Sequence, residues 1–310
     1  MQWKTQHARN RAGRAMRLSD IDVVAPKTLE DALSVLHEKS GKIKPIAGGT
    51  DAIIQLKDGL LQTRELLDIS SLGGLRYILR EGPRVRIGAL STYSDIIESP
   101  VLNNSCPMLV DASRTIGVIQ LQNRATIGGN LANASPAGDT IPPLYVLAAT
   151  VTVQNHRGKR SIPIEKFFID YRTIDLRPDE LITEISFEAV EKPCDATFLK
   201  LGLREAHFIS VANLAIWVRW APDGKSFSDV RVAMGAVAPV VVRAKKCEEF
   251  LLNRILNEDV VWEAGQIASS ESSPITDIRG SAEYRRAVIP SLLYKAVHRL
   301  TESRRMWEMP

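Results

Sequence analysis

The stretch QNRATIGGNLANASPAGDTIPPL, Gln122 to Leu144, brings Thr126, Gly128, Gly129 and Asn130 together and places Asp139 nine residues after Asn130. Glycines admit positive φ and close approach to the backbone, and successive amides can cup an anion. A carboxylate and several carboxamides nearby could hold the hydroxyls of a sugar or sugar alcohol, which need partners once they leave water.

Upstream, KPIAGGTDAI (Lys44 to Ile53) repeats that chemistry after a short apolar run, with Ile46, Ala47, Gly48, Gly49, Thr50 and Asp51 in sequence. Either glycine pair alone reads as a tight turn between a strand and a helix. Two such nests fit one diphosphate better than either fits a turn. Gly73-Gly74 lacks the following Thr-Asp or Asn and is expected to be a plain turn. No GxGxxG occurs at either site, which argues against a conventional dinucleotide fold.

Around these stretches the chain reads as an ordinary soluble protein of 310 residues, 45% hydrophobic and 25% charged. Its 40 basic and 36 acidic side chains are interspersed, which disfavours a nucleic-acid partner. Cys106, Cys194 and Cys247 are too far apart for local metal or iron–sulfur spacing, and three free thiols suit a reducing cytoplasm. No apolar run reaches the roughly 18 residues of a membrane span. Residues 1–15 are basic and polar without a secretory apolar middle, and are expected to be an appended or upstream tail, with residues 303–310 a C-terminal tail.

Periodicity predicts a helix over APKTLEDALSVLHEKSG, with Thr28 and Asp31 as a capping box and Gly41 past its end, then a strand at KIKPIA and a short helix at DAIIQLKDGLL. ELLDIS, LRYILR, RVRIGAL and DELITEISFEAV read as strands. Turns are expected at Glu81-Gly82-Pro83 and Arg157-Gly158. TYSDIIESP and the segment from Met108 to Ser113 read as helices. From Thr197 long alternating runs with a turn at Asp223-Gly224 give way to three helical segments. A boundary at Glu191-Lys192-Pro193 divides the chain into residues 16–191 and 192–302.

At both glycine stretches the sequence resembles the FAD-binding medium subunit of the molybdenum hydroxylases, the group of carbon monoxide dehydrogenase, xanthine dehydrogenase and 4-hydroxybenzoyl-CoA reductase. AGGTD and NRATIGGNLANASPAGD match its two flavin motifs in order, and DIRGSAEYRRAV (Asp277 to Val288) looks like its C-terminal signature. The resemblance runs from about Met16 to about Arg299. It implies an α+β fold: a vanillyl-alcohol-oxidase (PCMH)-type FAD-binding domain of two subdomains, then a C-terminal α/β domain like that of the carbon monoxide dehydrogenase flavoprotein.

What the resemblance implies for the site is that residues from Ile46 to Asp51, and Thr126, Ile127, Gly128, Gly129 and Asn130, wrap the FAD diphosphate. Asp139 would bind ribityl or ribose hydroxyls. Ile182 falls where the family has an apolar residue against the flavin, its competing role being a core strand residue. Lys200 matches a lysine near the cofactor, against a solvated strand lysine. Phe208 sits where an aromatic can lie beside the isoalloxazine, against a core phenylalanine. His156 and His207 are expected to be structural, Arg279, Tyr284 and Arg285 to fasten the C-terminal helix, and Trp217 and Trp220 to be the core and edge of one strand.

The function implied is electron transfer. A large subunit would carry the molybdopterin-type molybdenum cofactor, a small one two [2Fe-2S] clusters, and this chain FAD, with NAD, a quinone, ferredoxin or oxygen as the external acceptor. The four-cysteine insertion of the 4-hydroxybenzoyl-CoA reductase flavin subunit is missing, which favours ordinary oxidation. A stand-alone flavoprotein of the same fold, such as an oxidase or a reductase of the UDP-acetylenolpyruvoyl-glucosamine type, and a non-catalytic nucleotide-binding module are the alternatives.

Overall fold

The computed structural model describes residues 20–204 and 208–302; the two expected tails and His207 lie outside them. Among the described residues three sheets of three or more strands and one two-stranded ribbon organise the chain. The first is parallel, β1 (Asp22–Val24), β2 (Ile43–Ile46) and β3 (Glu65–Asp68), with β3 in the middle. The Leu29–Glu38 helix covers it with Ala32, Leu33 and Leu36, all buried. Thr28 caps that helix, its Oγ1 accepting from the Asp31 amide at 3.1 Å, but the expected capping box is only half made, since the Asp31 carboxylate returns no bond to the Thr28 amide among the described residues. Gly41 follows at φ +76°.

The second sheet is antiparallel, in the order β4-β5-β10-β6-β7. It comprises β4 (Ile78–Glu81), β5 (Arg84–Gly88), β6 (Thr150–Asn155), β7 (Gly158–Pro163) and, past a ribbon of β8 (Phe168–Asp170) and β9 (Thr173–Ile174), β10 (Leu181–Glu188). Gly82-Pro83 joins β4 to β5. The second hairpin turns one residue earlier than expected, at His156-Arg157, because Asn155 Oδ1 accepts from the Arg157 and Gly158 amides and Gly158 already pairs with Asn155. Gly73-Gly74 opens a short 3₁₀ turn, in line with its reading as a turn.

The third sheet is β11 (Cys194–Leu201), β12 (Ala212–Trp220), β13 (Phe227–Gly235) and β14 (Val242–Arg243), antiparallel in that order. β12 is nearly all apolar because both its faces are covered. Ala212, Leu214, Ile216 and Val218 pack under the helices Lys245–Leu251, Glu258–Ser270 and Ala282–Glu302, while Ala215 and Trp217 enter the core of the flavin-motif half. The expectation of a core and an edge tryptophan is therefore corrected: β12 is an inner strand, and Trp217 and Trp220 are both buried, on opposite sides. Their odd and even positions put them there. No helix among the described residues is long and apolar enough to cross a membrane.

Candidate functional site

The two glycine stretches meet. A Cβ on Gly48 would lie 1.8 Å from the carbonyl oxygen of Arg124, so only glycine lets the first loop sit against the residues that lead into the second. Asn133 Nδ2 donates to Asp51 Oδ1 at 3.1 Å, and Gln55 Nε2 donates to Asn133 Oδ1 at 2.9 Å, joining the loops across 78 to 82 residues of chain. Gly49 turns the first loop at φ +75°.

The loops differ in what they offer. In the first, the amides of Gly48, Gly49, Thr50 and Asp51 donate to no group among the described residues, which leaves a run of donors open to an anion. In the second, Thr126 caps a helix over Ile127–Asn133, and its first amides are already taken. Ile127 donates to the Ser91 carbonyl at 3.0 Å, Gly128 to Ala89 at 2.9 Å, Gly129 to Thr126 Oγ1 at 3.1 Å and Asn130 to the Thr126 carbonyl at 3.0 Å. The expectation of a second amide nest is corrected accordingly. Gly128 is bare for packing, since a Cβ there would meet Ala89 at 2.7 Å. Gly129 is exposed, and an added Cβ would touch only Thr126 Oγ1, so its Cα is the open surface of this motif.

Electrostatics separate the polar groups further. Desolvation holds the Asp51 carboxyl above the usual carboxylate range, while the nearby Arg172 charge pulls it down. Asn130 Oδ1 accepts from Thr140 Oγ1 at 3.0 Å, and Thr140 lies 3.4 Å from the buried Tyr93 hydroxyl, whose pKa burial pushes well up. That fixes the Asn130 carboxamide, and its NH₂ donates to no group among the described residues.

Asp139 is only 6% exposed. Its Oδ2 accepts from Lys200 Nζ at 2.6 Å, and its Oδ1 accepts from Ser210 Oγ at 2.6 Å and Asn213 Nδ2 at 2.9 Å. Three donors leave about one lone-pair position for anything else. Lys200 is no solvated strand lysine: its side chain is 4% exposed, also donates to the Thr115 carbonyl at 2.9 Å, and lies 4.5 Å from the Phe208 ring centroid. Phe208 is half-buried and rests on Gly202, where a Cβ would overlap the ring at 1.7 Å. Ile182 is a buried strand residue of the first core, next to a bulge in β10 where Thr183 receives the Ala89 amide.

The third matched stretch touches this site from behind. Arg285, 2% exposed, donates to the Ala236 carbonyl at 2.7 Å and to Asp277 at 2.5 Å, and the Ala236 amide donates to the Pro136 carbonyl at 2.8 Å. Arg279 pairs with Asp277. These residues fasten the C-terminal helix as expected and also hold the loop that carries Asp139; Tyr284, half exposed, stands apart. Sequence reasoning missed Ser210 and Asn213, for which a polar pair at the head of an apolar strand was the signal. Asn133, Gln55 and Arg172 carried no signal of their own.

Residues 18–187 match the model of the FAD binding domain in molybdopterin dehydrogenase, and residues 197–300 that of the CO dehydrogenase flavoprotein C-terminal domain. The chain belongs to the FAD-binding family of the molybdopterin dehydrogenases. Among its relatives in that family is the glyceraldehyde dehydrogenase medium chain of Sulfolobus acidocaldarius, 33% identical over 277 residues that cover 89% of this chain and 97% of that one. The nicotinate dehydrogenase FAD-subunit of Eubacterium barkeri is 30% identical, covering 90% and 95%. A solved carbon monoxide dehydrogenase of Hydrogenophaga pseudoflava superposes with a TM-score of 0.87 at 29% identity, over 91% of this chain and 98% of that one. This molybdopterin-dehydrogenase flavoprotein thus carries an FAD-binding domain followed by the flavoprotein C-terminal domain. Open amides, the Asn130 NH₂ and the bare Gly129 surface suit a diphosphate with its sugar hydroxyls.

Proposed function

We propose that the chain is the flavin-carrying electron-transfer subunit of a heteromeric molybdenum hydroxylase, bound to a large molybdopterin subunit and a small [2Fe-2S] subunit. The observation that carries this reading is the junction of the two glycine loops, with unsatisfied amides on one side and an open glycine face on the other. The amides of Gly48 to Asp51 would hold the FAD diphosphate, Thr50 would add its hydroxyl, and Gly129 would let the phosphate approach. Asn130 would donate from its NH₂, and Asp139, clamped by Lys200, Ser210 and Asn213, would accept one sugar hydroxyl through its remaining lone pair.

Phe208, lying on Gly202 beside Lys200, and Ile182 would set the position of the ring system. Bound FAD supplies single- and two-electron chemistry, which suits a place between iron–sulfur clusters and an acceptor such as NAD, a quinone, ferredoxin or oxygen. The chain itself binds, orients and tunes; Asp51 and Asp139 are both committed to polar networks that hold the loops, which is a positioning role. The medium-chain relatives and three buried free thiols support an assembly in the cytoplasm.

The test is the visible spectrum of the purified chain before and after adding FAD, repeated after co-expression with candidate partner subunits. One FAD per chain, reduced by the hydroxylase substrate only when both partners are present, is expected. A folded chain that takes up no FAD alone or in the assembly would refute the proposal. Turnover of a small organic substrate by the isolated chain would replace it with the stand-alone flavoprotein.

A further inference from the structure

His37, His156 and Asp179 come from three separate segments and meet at the surface. His37 is in the last turn of the Leu29–Glu38 helix, His156 in the β6–β7 turn, and Asp179 shortly before β10. The two imidazole centroids are 3.6 Å apart at an interplanar angle of 30°, and the ligand atoms of all three residues lie within 4.8 Å of one another. We infer that these three side chains form a divalent transition-metal site that ties the parallel-sheet subdomain to the antiparallel one.

Zinc–imidazole bonds of about 2.0–2.1 Å in a tetrahedron put donor atoms about 3.3 Å apart, so the side chains need close in by only about 1.5 Å. Side-chain rotations on an exposed surface cover that distance. Neutral imidazole is the form that binds metal. Asn155 Nδ2 donates to Asp179 Oδ2 at 3.2 Å, which orients the carboxylate and leaves Oδ1 for the ion.

Two imidazoles and one carboxylate select zinc, nickel or copper over magnesium or calcium. Three protein ligands leave a fourth position for water, which describes an exchangeable site. One group competes: Arg157 Nε donates to His156 Nε2 at 3.2 Å and has to swing out for that nitrogen to bind. The placement gives the site a use. His37 belongs to the subdomain that carries the Gly48-Gly49 loop, whereas His156 and Asp179 flank strands of the sheet on which the Ile127–Asn133 helix packs. An ion here would fix the two walls of the candidate cleft relative to each other.

The experiment is calorimetric titration of Zn²⁺ into the full chain, with thermal unfolding followed in parallel and Mg²⁺ as control. Saturable binding of one Zn²⁺ per chain and a rise in Tm are expected, with neither for Mg²⁺. His37→Gln and His156→Gln are each expected to weaken binding by at least about the tenfold that loss of a mere outer partner costs. Arg157→Ala should tighten it, and His298→Gln, in the C-terminal helix, should leave it alone. The His37, His156 and Arg157 side chains are exposed, so those metal-free variants should melt with the parent. No saturable Zn²⁺ binding, or binding that survives the His37→Gln/His156→Gln double substitution, would overturn the inference.

Discussion

Replacing Lys200 with methionine isolates the most deeply buried charge pair of the candidate site. The two side chains are 4% and 7% exposed, and Nζ and Oδ2 are 2.6 Å apart. Methionine keeps the apolar stem but strands the Asp139 carboxylate, and it orphans the Thr115 carbonyl as well. Removing one partner of a buried pair costs about 3–5 kcal/mol, because the remaining charge stays desolvated. Unfolding entropy of about 2.1 cal/mol/K per residue over 310 residues gives about 0.65 kcal/mol per degree, hence a Tm lower by about 5–8 °C. Asp139→Asn in the same background removes the stranded charge while its Oδ1 still accepts from Ser210 and Asn213, so the double variant should recover about 1–3 kcal/mol. Circular dichroism melts at neutral pH, checked with a fluorescence probe for coincident transitions, measure both. A single variant within about 2 °C of the parent, or a double variant that melts below the single, would refute the claim that Lys200 neutralises Asp139.

Gly129→Ala should weaken FAD binding as read by flavin fluorescence while changing stability by no more than about 1 kcal/mol, because alanine's helix preference of about 0.8–1 kcal/mol opposes the 2.9 Å approach of its Cβ to the capping Thr126 Oγ1. Gly128→Ala should instead lower Tm through its collision with Ala89, by about 1–3 kcal/mol. Gly265→Ala should also cost about 1–3 kcal/mol in a thermal melt without touching flavin affinity, because its Cβ would lie 2.6 Å from Pro290 Cα in the facing helix. Arg160 bonds both Glu180 and Asp175, and their pKa values are lowered in the fold: for Glu180, Arg160 and the Arg177 amide outweigh desolvation, and for Asp175 the Arg160 hydrogen bond leads. Depressed carboxylates stabilise fully above their unfolded values of about 3.9–4.3 and lose that contribution as pH falls through the folded ones, so Tm should fall below about pH 4. Arg160→Gln should lower Tm at neutral pH and flatten that acid slope.

Much of the fold was legible because its periodicities are local. Thr28 and Asp31 announced a helix start, and the alternation of β10 and β13 announced strands. The short helix at Ile127–Asn133 was hidden in a glycine pair that local propensity disfavours; Thr126 and the Ser91 and Ala89 carbonyls, distant in sequence, create it. The same contacts use the amides that composition alone assigned to an anion. Both faces of β12 were unreadable for a similar reason, since an apolar run does not say which two cores it divides. At the site, the residue types were readable but their allegiances were not. Asp139 looks like a ligand from its motif, and only the approach of β11 and β12 reveals that Lys200, Ser210 and Asn213 already hold it. Asn133 and Gln55, ordinary polar helix residues on paper, turn out to couple the two loops.

β12 has a consequence for how the chain can be divided. Its odd-numbered face, with Ala215 and Trp217 from this strand and Phe198 and Ala233 beside it, is the lid on the other half's core. A cut within residues 189–193 would bare that face on one fragment and its matching hollow on the other, so the pieces should cling together or precipitate rather than behave as free modules. Grafting a C-terminal half from a relative would therefore require transplanting its inner wallpaper too, and the matching residues between sheet and core become the practical unit of exchange.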